Sequence, residues 1–521
     1  MKRKAHGAQE PRRISKIRRG YEHRATQRFA RTGNYSALPL QKRLKYAARA
    51  ITMFLRRQKM LRLYNTLSNT EEDFHPIEEG VVRFYTCGPT VYNYAHIGNF
   101  RTFTFQDLLR KYLKYSGYRV VHVMNITDVD DKTIQNARAQ SMTLKDYTAQ
   151  YTDAFFEDCK KLRISPPDIA PRATEHIPEM VAIIRSLEEK GCTYRKDGSI
   201  YFSIAQFPEY GKLSKADFSG AQAGARVDTD KYDKANARDF VLWKAPKEGE
   251  DFWETEIGPG RPGWHIECSA MSMKYLGETF DIHVGGIDLV FPHHENELAQ
   301  SECATGKPFV RYWVHPEFLI VEGDKMSKSL GNFFTLRDLE SEGYSPETIR
   351  YLLLSVHYRK QLNFTTDGLR QAQASIQRLE DFALRAREKE SADEPAADFA
   401  AEVAAARGRF REAMDSDINT SAALAAVFDF VHFAWRKDSQ NEFTGGDARV
   451  SLDFIKEIDG IFNILRAREE MPDEEIAAEI EARQEARKRR DFAEADRIRQ
   501  SLLAKGIQLE DTREGVRWKR M

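Results

Sequence analysis

One strand–helix–strand pattern constrains the fold of this chain more than any other feature of its sequence. Residues 81–87 form an apolar run rich in strand-forming side chains, and the Gly-Pro pair that follows ends it. A helical stretch covers about residues 99–115, and residues 118–124 have the composition of a second buried strand. A helix between two such strands is typical of a parallel βαβ unit, so the pattern predicts the opening of a nucleotide-binding sheet.

Later segments extend this α/β prediction and add helical regions. Residues 146–245 are a mixed insertion, helical at first and then rich in loops, after which we expect the sheet to resume at 280–284 and again at 318–321. From about residue 345 the chain turns helical, with apolar residues recurring every three or four positions. A polar linker at 391–397 separates two of these stretches, which predicts a helical bundle.

The charge of the chain is unevenly distributed, although its formal total is +1. The first 59 residues hold 18 Lys and Arg but two acidic residues, whereas the rest holds 62 basic and 77 acidic residues. The basic segment has no amphipathic period and no apolar run, so we expect a disordered extension outside the fold. An organelle transit segment, a nucleic-acid-binding tail and a non-native extension are the alternatives.

Composition also excludes several classes of protein. No apolar run approaches the roughly 18–20 residues of a membrane-spanning helix, so we expect no membrane partner. No apolar stretch follows the first basic residues, so we expect no secretory signal. Five scattered cysteines are too few, and odd in number, for a disulfide framework. A reducing compartment fits this cysteine content better, and the expected location is the cytoplasm.

Two short motifs on the predicted sheet suit phosphate chemistry. The first is HIGN at 96–99, where Gly98 lets a ligand approach the backbone and the start of the helix offers N–H groups to phosphate. The second is KMSKS at 325–329, whose two lysines suit a clamp on a polyphosphate, where they neutralise charge developing during transfer. Taken singly, each motif is also compatible with a surface turn or a solvated basic loop.

Together the two motifs resemble the signatures of the class I aminoacyl-tRNA synthetases, which are written HIGH and KMSKS in that family. The second signature is intact here, whereas the first ends in Asn99 instead of histidine. An asparagine donates a hydrogen bond to phosphate but carries no charge. The chain therefore departs from the family pattern at this position, and the expected contact of Asn99 with phosphate is a hydrogen bond without charge.

A further group of residues is of metal-ligating type. Cys87 closes the first strand, Cys268 lies in the segment GWHIEC, and His293 and Glu297 lie in FPHHENE. Pro292 suits the first turn of a helix, which would put His293 and Glu297 one turn apart on the same face. Two Cys, one His and one Glu make a tetrahedral zinc set, although a lone cysteine is also a common small buried residue.

Longer segments narrow the resemblance to the cysteinyl-tRNA synthetase family. They are FYTCGPTVYNYAHIGNFR at 84–101, RPGWHIECSAM at 261–271, FPHHENE at 291–297 and KMSKSLGN at 325–332. Shorter matches are NITDVDDK at 125–132, PRAT at 171–174 and DFVLWK at 239–244. The similarity runs from about Met60 to the C-terminus. In that family the zinc is held by the residues that match Cys87, Cys268, His293 and Glu297.

The resemblance implies an α/β protein with a Rossmann-type parallel-sheet catalytic domain that carries an insertion, followed by an α-helical bundle and a small C-terminal anticodon-binding module. The expected segments are the basic extension at 1–59, catalytic halves at 60–145 and 246–322, the connective insertion at 146–245, the KMSKS loop and stem-contact region at 323–360, the bundle at 361–470 and the module at 471–521.

The resemblance also implies two reactions in a monomeric enzyme. L-cysteine and ATP, with Mg²⁺ as counterion, form cysteinyl-adenylate and pyrophosphate, and the cysteinyl group then moves to tRNA(Cys). The attacking carboxylate is ionised at pH 7, so positioning and charge neutralisation carry the catalysis. The expected nucleotide contacts are His96 and Asn99 to the triphosphate, Gly98 beside it, Lys325 and Lys328 to the departing pyrophosphate, and Asp288 to the ribose. A solvated turn is the alternative for Asp288.

Selection of cysteine over serine is the expected role of one zinc ion per chain. Serine differs from cysteine by oxygen in place of sulfur, a swap that shape discriminates poorly. Zinc binds a thiolate at roughly 2.3 Å, whereas a serine hydroxyl is a weaker acid and a harder ligand. We expect Thr127 and Trp264 to line the amino-acid pocket, although Trp264 also fits a core aromatic.

A short, strongly charged module follows Pro472, and a capped helix start at Asp491 lies inside it. By resemblance it is the anticodon-binding end, and its expected tRNA contacts are Arg487, Asp496, Arg499 and Asp511, with Trp518 stacking on a base. A solvated helix face is the alternative for such a charge run.

Two other functions remain open on the sequence. One is another ATP-dependent cysteine ligase on the same catalytic domain, such as the ligase of mycothiol synthesis, which would not need the charged terminal module. The other is an inactive RNA- or metal-binding paralogue. An intact KMSKS motif and a complete ligand set argue against the inactive paralogue.

Overall fold

The computed structural model describes residues 60–216, 226–227, 239–326, 331–466, 473–505, 507–512 and 515–520. The basic extension, expected to be disordered, therefore lies outside the described residues, and so does Lys328 of the second motif. Among the helices within these ranges, none is long and apolar enough to cross a membrane.

The strands and helices are numbered along the chain. The described strands are β1 (Arg62–Asn65), β2 (Thr70–Asp73), β3 (Val81–Thr86), β4 (Arg119–Met124), β5 (Thr193–Lys196), β6 (Ser199–Phe202), β7 (Arg226–Val227), β8 (Asp239–Lys244), β9 (Arg261–Pro262), β10 (Phe280–Val284), β11 (Val310–Val314), β12 (Leu319–Val321), β13 (Leu362–Phe364), β14 (Ile507–Thr512) and β15 (Gly515–Arg520). The described α-helices are α1 (Ile97–Tyr115), α2 (Asp131–Ala139), α3 (Leu144–Lys161), α4 (Ile177–Glu189), α5 (Trp264–Leu276), α6 (Glu295–Thr305), α7 (Leu336–Ser341), α8 (Pro346–Ser355), α9 (Thr366–Lys389), α10 (Ala397–Asp415), α11 (Thr420–Ser439), α12 (Gly445–Phe462), α13 (Asp473–Lys488) and α14 (Phe492–Ala504).

The main sheet, called the catalytic sheet below because the resemblance implies that role, consists of four parallel strands in the order β11–β10–β3–β4. Helix α1 joins β3 to β4, so the βαβ unit and the α/β class predicted from the sequence are confirmed. The chain leaves β3 toward β4 on one side and returns as β10 on the other side. Ligands of such sheets bind outside the carboxyl ends of the strands where the order reverses, which places a site beside the ends of β3 and β10.

One strand expected in this sheet lies elsewhere. Leu319–Val321 pairs in parallel with β13 in a separate two-stranded sheet, and β11 is the strand that lies next to β10. All residues of β11 except Arg311 are buried, as is typical of a covered parallel strand. The apolar run at 318–321 has strand composition, but its partner is decided by contacts distant in the sequence.

The helix that carries Glu297 begins later than predicted. A cis Phe291–Pro292 bond and a wider helical turn at Val290–His294 precede α6, which begins at Glu295. Pro292 is therefore not the first residue of a regular α-helix. The wide turn nevertheless runs directly into α6, so that His293 and Glu297 face each other as the spacing predicted.

Cys192 and Cys303 form a disulfide that the cysteine count did not predict. Cys192 lies just before β5, whereas Cys303 lies near the end of α6, 111 residues further along the chain. Helices α4 and α6 pack against each other, and this packing brings the two cysteines together. The other cysteines, Cys87, Cys159 and Cys268, are free and buried.

The remaining elements form three further packed regions. Strands β5, β6, β8 and β7 make a mixed sheet within the insertion, whose hydrophobic core includes residues of α4 and α5. Helices α9–α12 form the predicted bundle, which shares one hydrophobic core with the catalytic sheet. Helices α13 and α14 and the β14–β15 hairpin enclose a small core of their own. The domain boundaries drawn from the sequence stay predictions.

Candidate active site

A cleft of about 820 Å³ opens at the carboxyl end of the catalytic sheet. Its wall combines residues of both sequence motifs with most of the predicted metal ligands. The predicted site residues in this wall are Cys87, His96, Gly98, Asn99, Thr127, Trp264, Cys268, Asp288, His293 and Lys325. Glu297 is fully buried and contacts His293.

The HIGN motif forms the start of α1 through two reciprocal hydrogen bonds. The backbone N–H of Asn99 donates to Nδ1 of His96, and the backbone N–H of His96 donates to Oδ1 of Asn99, both at 3.1 Å. This capping box satisfies N–H groups at the helix start. The side-chain carbonyl oxygen of Asn99 thus accepts a hydrogen bond that stabilises the helix start. The amide N–H₂ group of the same side chain is a donor of the kind that binds anions.

The second motif packs directly against the first. A Cβ atom added to Gly98 would lie 3.0 Å from Cε of Met326, so a side chain at this position would crowd the KMSKS segment. After the motif the chain returns along the start of α1: the Ile97 N–H donates to the carbonyl of Phe334, and the rings of His96 and Phe333 lie 5.1 Å apart. The two motifs therefore line one side of the cleft together, with Lys325 in its wall.

Four ligand atoms of the predicted metal set lie within 4.8 Å of one another. Nε2 of His293 is 2.9 Å from Oε1 of Glu297 and 3.5 Å from Sγ of Cys268. Sγ of Cys87 is 4.0 Å from the same carboxylate oxygen. Ligand atoms around a tetrahedral zinc lie roughly 3.3–3.8 Å apart for bonds of about 2.0–2.3 Å, so this donor set fits the ion in chemistry and in spacing.

A second set of donors shares Cys87 and Glu297 with the first and adds His283 and His294. Nε2 of His294 is 3.2 Å from Sγ of Cys87, and Nε2 of His283 is 2.9 Å from Oε2 of Glu297. Unlike Cys268 and His293, the two added histidines do not line the cleft. Their positions suit residues that would orient the predicted ligands from behind.

This layer behind the ligands continues into the protein. Nδ1 of His294 contacts Nε2 of His315 at 2.7 Å, and Nδ1 of His315 contacts the hydroxyl of Thr66 at 2.7 Å. Burial lowers the pKa of His294 well below its usual value and lowers that of His315 to about 3. Both imidazoles are therefore neutral, and each donates through one ring nitrogen and accepts through the other. A neutral imidazole adds no positive charge beside a bound metal ion.

The ligand side chains themselves carry opposite charges. Burial opposes ionisation of Glu297, but His283 and His293 outweigh it and lower the pKa of the carboxyl to about 2. Burial acts in the same way on Cys268, yet a hydrogen bond from Cys87 and the charge of His293 lower the pKa of that thiol to about 6. Burial would lower the pKa of His293, but its anionic neighbours raise it to about 10. His293 is therefore protonated among anionic side chains in the absence of a metal ion. A metal ion bound to the same side chains would replace this positive charge and release the proton.

The two predicted pocket residues lie beside this cluster. The ring of Trp264 stacks on that of His293 with centroids 4.0 Å apart, and Trp264 is half-buried in the cleft wall rather than enclosed in a core. The Thr127 hydroxyl donates to Oε2 of Glu267 at 3.0 Å and accepts from Nδ2 of Asn125 at 3.1 Å. Asp288 lies exposed in the cleft wall on a short helical turn after β10.

The predicted tRNA contacts lie on the terminal module. Arg487, in the last turn of α13, is exposed, and Asp496 and Arg499 are both exposed on α14 at helical spacing i, i+3. Trp518 is half-buried on β15 and packs against the small core of the module. Asp511 lies on β14, in register with Val516 of β15.

The histidines behind the predicted metal ligands were missed by sequence reasoning. His283 lies within β10, His294 stands next to a chosen ligand, and His315 follows β11. A lone histidine in an apolar strand reads as an ordinary core residue. The sequence contained one weak indication of their role. His283 lies near the end of β10 and His315 lies just beyond the end of β11, at the edge of the sheet where a site was expected.

Comparisons with known proteins identify the family and the fold of the chain. A family model described as tRNA synthetases class I (C) catalytic domain matches residues 73–374, and a DALR domain model matches residues 409–465. A protein of Solibacter usitatus named Cysteine--tRNA ligase is 59% identical over 463 residues, which cover 88% of this chain and 99% of that protein. A protein of the same name from Koribacter versatilis is 51% identical over 492 residues, with the same coverage of both chains.

A solved structure supports the fold alone. Methionyl-tRNA synthetase of Mycobacterium tuberculosis, solved with methionyl-adenylate, superposes with a TM-score of 0.58 at 15% identity and covers 74% of this chain and 92% of its own. The family match spans more than half of the chain, and the relatives align over nearly their whole length. The chain therefore belongs to the cysteine–tRNA ligase family of the class I tRNA synthetases.

Proposed function

We propose that the cleft activates L-cysteine with Mg-ATP and that the enzyme transfers the cysteinyl group to tRNA(Cys). One observation carries this proposal: three of the four residues of a donor set that fits zinc, Cys87, Cys268 and His293, lie in the wall of the same cleft as the start of α1. A cleft of this size accommodates an adenylate with its amino acid attached. A cytoplasmic monomer remains the expected form of the enzyme.

The nucleotide half of the cleft works by positioning and charge neutralisation. The start of α1 lies in the cleft wall, where the positive end of the helix dipole favours an anion, and His96 and Asn99 would hold the triphosphate there. Gly98 leaves room for this approach, and Lys325 would neutralise charge on the departing pyrophosphate. Lys328 and Asp288 keep their proposed contacts to phosphate and ribose.

The amino-acid half of the cleft is built around Cys87, Cys268, His293 and Glu297, which would hold one zinc ion. When bound there, the ion supplies a Lewis-acidic centre that prefers a soft thiolate to a hydroxyl. Two thiolate-type donors and one carboxylate make the donor set net anionic, which favours a divalent cation. Trp264 and Thr127 would close the pocket around the small side chain, with the Thr127 hydroxyl held in place by Glu267.

His283→Ala is expected to weaken zinc binding by about 10–100-fold without removing a ligand. The reason is that Nε2 of His283 holds Oε2 of Glu297 at 2.9 Å, which leaves Oε1 directed at the other donors. A zinc dissociation constant measured by chelator competition checks this. His432→Ala, at an exposed histidine of α11, is the matched control and should keep wild-type affinity. Wild-type affinity in His283→Ala would contradict the proposed role.

The terminal module would read the anticodon through exposed charged groups. Asp496 and Arg499 share one face of α14 and offer acceptor and donor groups to splayed bases, and Trp518 and Arg487 lie on neighbouring elements of the same small fold. Asp511 keeps its proposed contact. A module of this kind serves no purpose in adenylation alone, which favours a tRNA substrate over a small-molecule acceptor.

Arg499→Ala is expected to lower kcat/KM for charging of tRNA(Cys) by about tenfold while leaving cysteine-dependent ATP–pyrophosphate exchange unchanged. Loss of one good base contact corresponds to roughly 1–3 kcal/mol. Arg370→Ala, at an exposed arginine of α9, is the matched control. A parallel loss of exchange, or no loss of charging, would contradict the assignment.

Exchange followed by charging tests the function as a whole. The wild-type chain should catalyse cysteine-dependent ATP–pyrophosphate exchange and then transfer cysteine to tRNA(Cys). Exchange without charging would favour another ATP-dependent cysteine ligase, such as that of mycothiol synthesis. Absence of both exchange and charging would favour an inactive paralogue and would refute the proposal.

A further inference from the structure

One arginine connects three segments of the chain beside the HIGN motif. Arg337 lies in α7, directly after the segment 333–335, and it is not among the residues that line the cleft. Its guanidinium group contacts residues of α3 and a residue that precedes α1. The contacts of this side chain therefore link the region around His96 to a helix that lies about 60 residues further along the chain.

The segment that leads into α7 lies directly on the HIGN motif. The Ile97 N–H donates to the carbonyl of Phe334 at 3.0 Å, and the ring of Phe333 lies 5.1 Å from that of His96. Thr335 pairs with His96 in an antiparallel bridge, and its side chain then caps the start of α7. The position of His96, a proposed contact of the triphosphate, therefore depends on where α7 holds this segment.

Charged side chains attach α7 to α3. Nη2 of Arg337 donates to Oε2 of Glu157 at 2.8 Å, and Nε of Arg337 lies 3.2 Å from Oδ1 of Asp158. A second ion pair joins the same two helices, since Nζ of Lys161 donates to Oε2 of Glu340 at 2.9 Å. Single ion pairs at a protein surface contribute little, whereas several charges in a network hold their elements more firmly.

Asp158 distinguishes this attachment from a surface ion pair. Its side chain is 1% exposed, and neither carboxylate oxygen accepts a hydrogen bond from the described residues. Burial raises the pKa of this carboxyl to about 6, although the charge of Arg337 opposes the rise, so the group is ionised at neutral pH. A buried carboxylate that loses its cation is costly, and this cost keeps Arg337 in its place.

The same guanidinium group packs on a residue of the cleft wall. Its central carbon lies 4.9 Å from the ring centroid of Tyr94, which precedes His96 by two positions. The ring of Tyr94 also lies 5.3 Å from that of Tyr151 on α3. Arg337 thus holds together α3, the start of α7 and the residues that lead into α1.

We propose that Arg337 is a positioning residue for the nucleotide, which acts through Tyr94 and the segment before α7 to hold His96 and Asn99 at the triphosphate. This inference rests on the proposed function, because it takes ATP as the ligand at this end of the cleft. A small displacement of groups that orient a substrate is enough to weaken their effect. None of the contacts described for Arg337 involves the donor cluster, so the loss should fall on ATP and not on cysteine.

Pyrophosphate exchange by an Arg337→Met variant tests the proposal. Methionine keeps much of the apolar stem but removes the charge and the hydrogen-bond donors. The KM for ATP should rise at least about threefold, whereas the KM for cysteine and the zinc content should keep their wild-type values. A merely structural defect would reduce the amount of active enzyme, and hence the apparent kcat, without changing either KM. Arg337→Lys retains a cation and should recover part of the loss.

A double variant tests whether the effect passes through Asp158. Asp158→Asn keeps the shape of the side chain but removes the charge that attracts Arg337, so it should also raise the KM for ATP. Because the two residues act as a pair, Arg337→Met combined with Asp158→Asn should raise this KM by less than the product of the two single effects. A combined effect equal to that product would overturn the proposed attachment.

Arg385→Met is the matched control. The side chains of Arg385 and Arg337 are 37% and 35% exposed, and Arg385 pairs with Asp438 between α9 and α11, on the helical bundle. This variant should keep both KM values. An unchanged KM for ATP in Arg337→Met, beside an active wild type, would overturn the positioning role alone. A wild-type chain without exchange activity would refute the proposed function, and the positioning role with it.

Discussion

Replacing Cys268 with serine is expected to remove bound zinc and to lower cysteine-dependent ATP–pyrophosphate exchange by more than about a hundredfold. Cys268 is 1% exposed, and its Sγ lies 3.5 Å from Nε2 of His293 in the donor cluster. A serine hydroxyl stays protonated at neutral pH and is a harder ligand, so it does not replace the thiolate. Zinc content measured by mass spectrometry gives a readout that does not depend on activity.

The matched control for this experiment is Cys159→Ser. Cys159 is an equally buried free cysteine on α3 but does not line the catalytic cleft. Its replacement carries the same cost of placing a hydroxyl in the protein interior. We expect full zinc content and near wild-type exchange in Cys159→Ser. A Cys268→Ser protein that keeps its zinc and still rejects serine as substrate would refute the metal site.

Lys325→Met is expected to slow the same exchange reaction by about 10²–10³-fold. Lys325 belongs to the cleft wall, next to Met326, which packs on Gly98 at the start of α1. Methionine keeps much of the length and apolar stem of lysine but removes the charge that would neutralise the departing pyrophosphate. The KM for cysteine should stay within about twofold, because the side chain serves the nucleotide half of the cleft.

Lys456→Met, at an exposed lysine of α12, is the control for lost positive charge alone. This protein should exchange pyrophosphate at the wild-type rate. If Lys325→Met retained more than about a fifth of the wild-type rate, the proposed clamp would be wrong. The exchange would then have to be carried by other groups of the cleft.

Local patterns predicted the elements that hold the site, because those elements are determined by neighbours in the sequence. The run at 81–87, the glycine-containing start of α1 and the strand at 118–124 follow from strand propensity, helix period and turn chemistry. The spacing of His293 and Glu297 predicted a shared face even though α6 begins at Glu295. Two residues four apart stay adjacent in either kind of helical turn.

Features that depend on distant contacts were not predictable in this way. Leu319–Val321 has strand composition, but its partner is β13, whereas Val310–Val314 lies beside β10. Cys192 and Cys303 meet because α4 and α6 pack together, which no spacing along the chain indicates. His283 and His315 likewise lie near each other because separate strands end at one edge of the sheet, and His294 contacts both from the turn that precedes α6.

Preference for cysteine over serine, measured in the presence and absence of the metal, tests the central claim most directly. The wild-type chain should contain about one zinc ion and should exchange pyrophosphate with cysteine far faster than with serine. Removal of zinc by a chelator should abolish cysteine-dependent exchange, and restoring the metal should recover both rate and preference. A metal-free protein that exchanges pyrophosphate with cysteine at the full rate and still rejects serine would contradict the account.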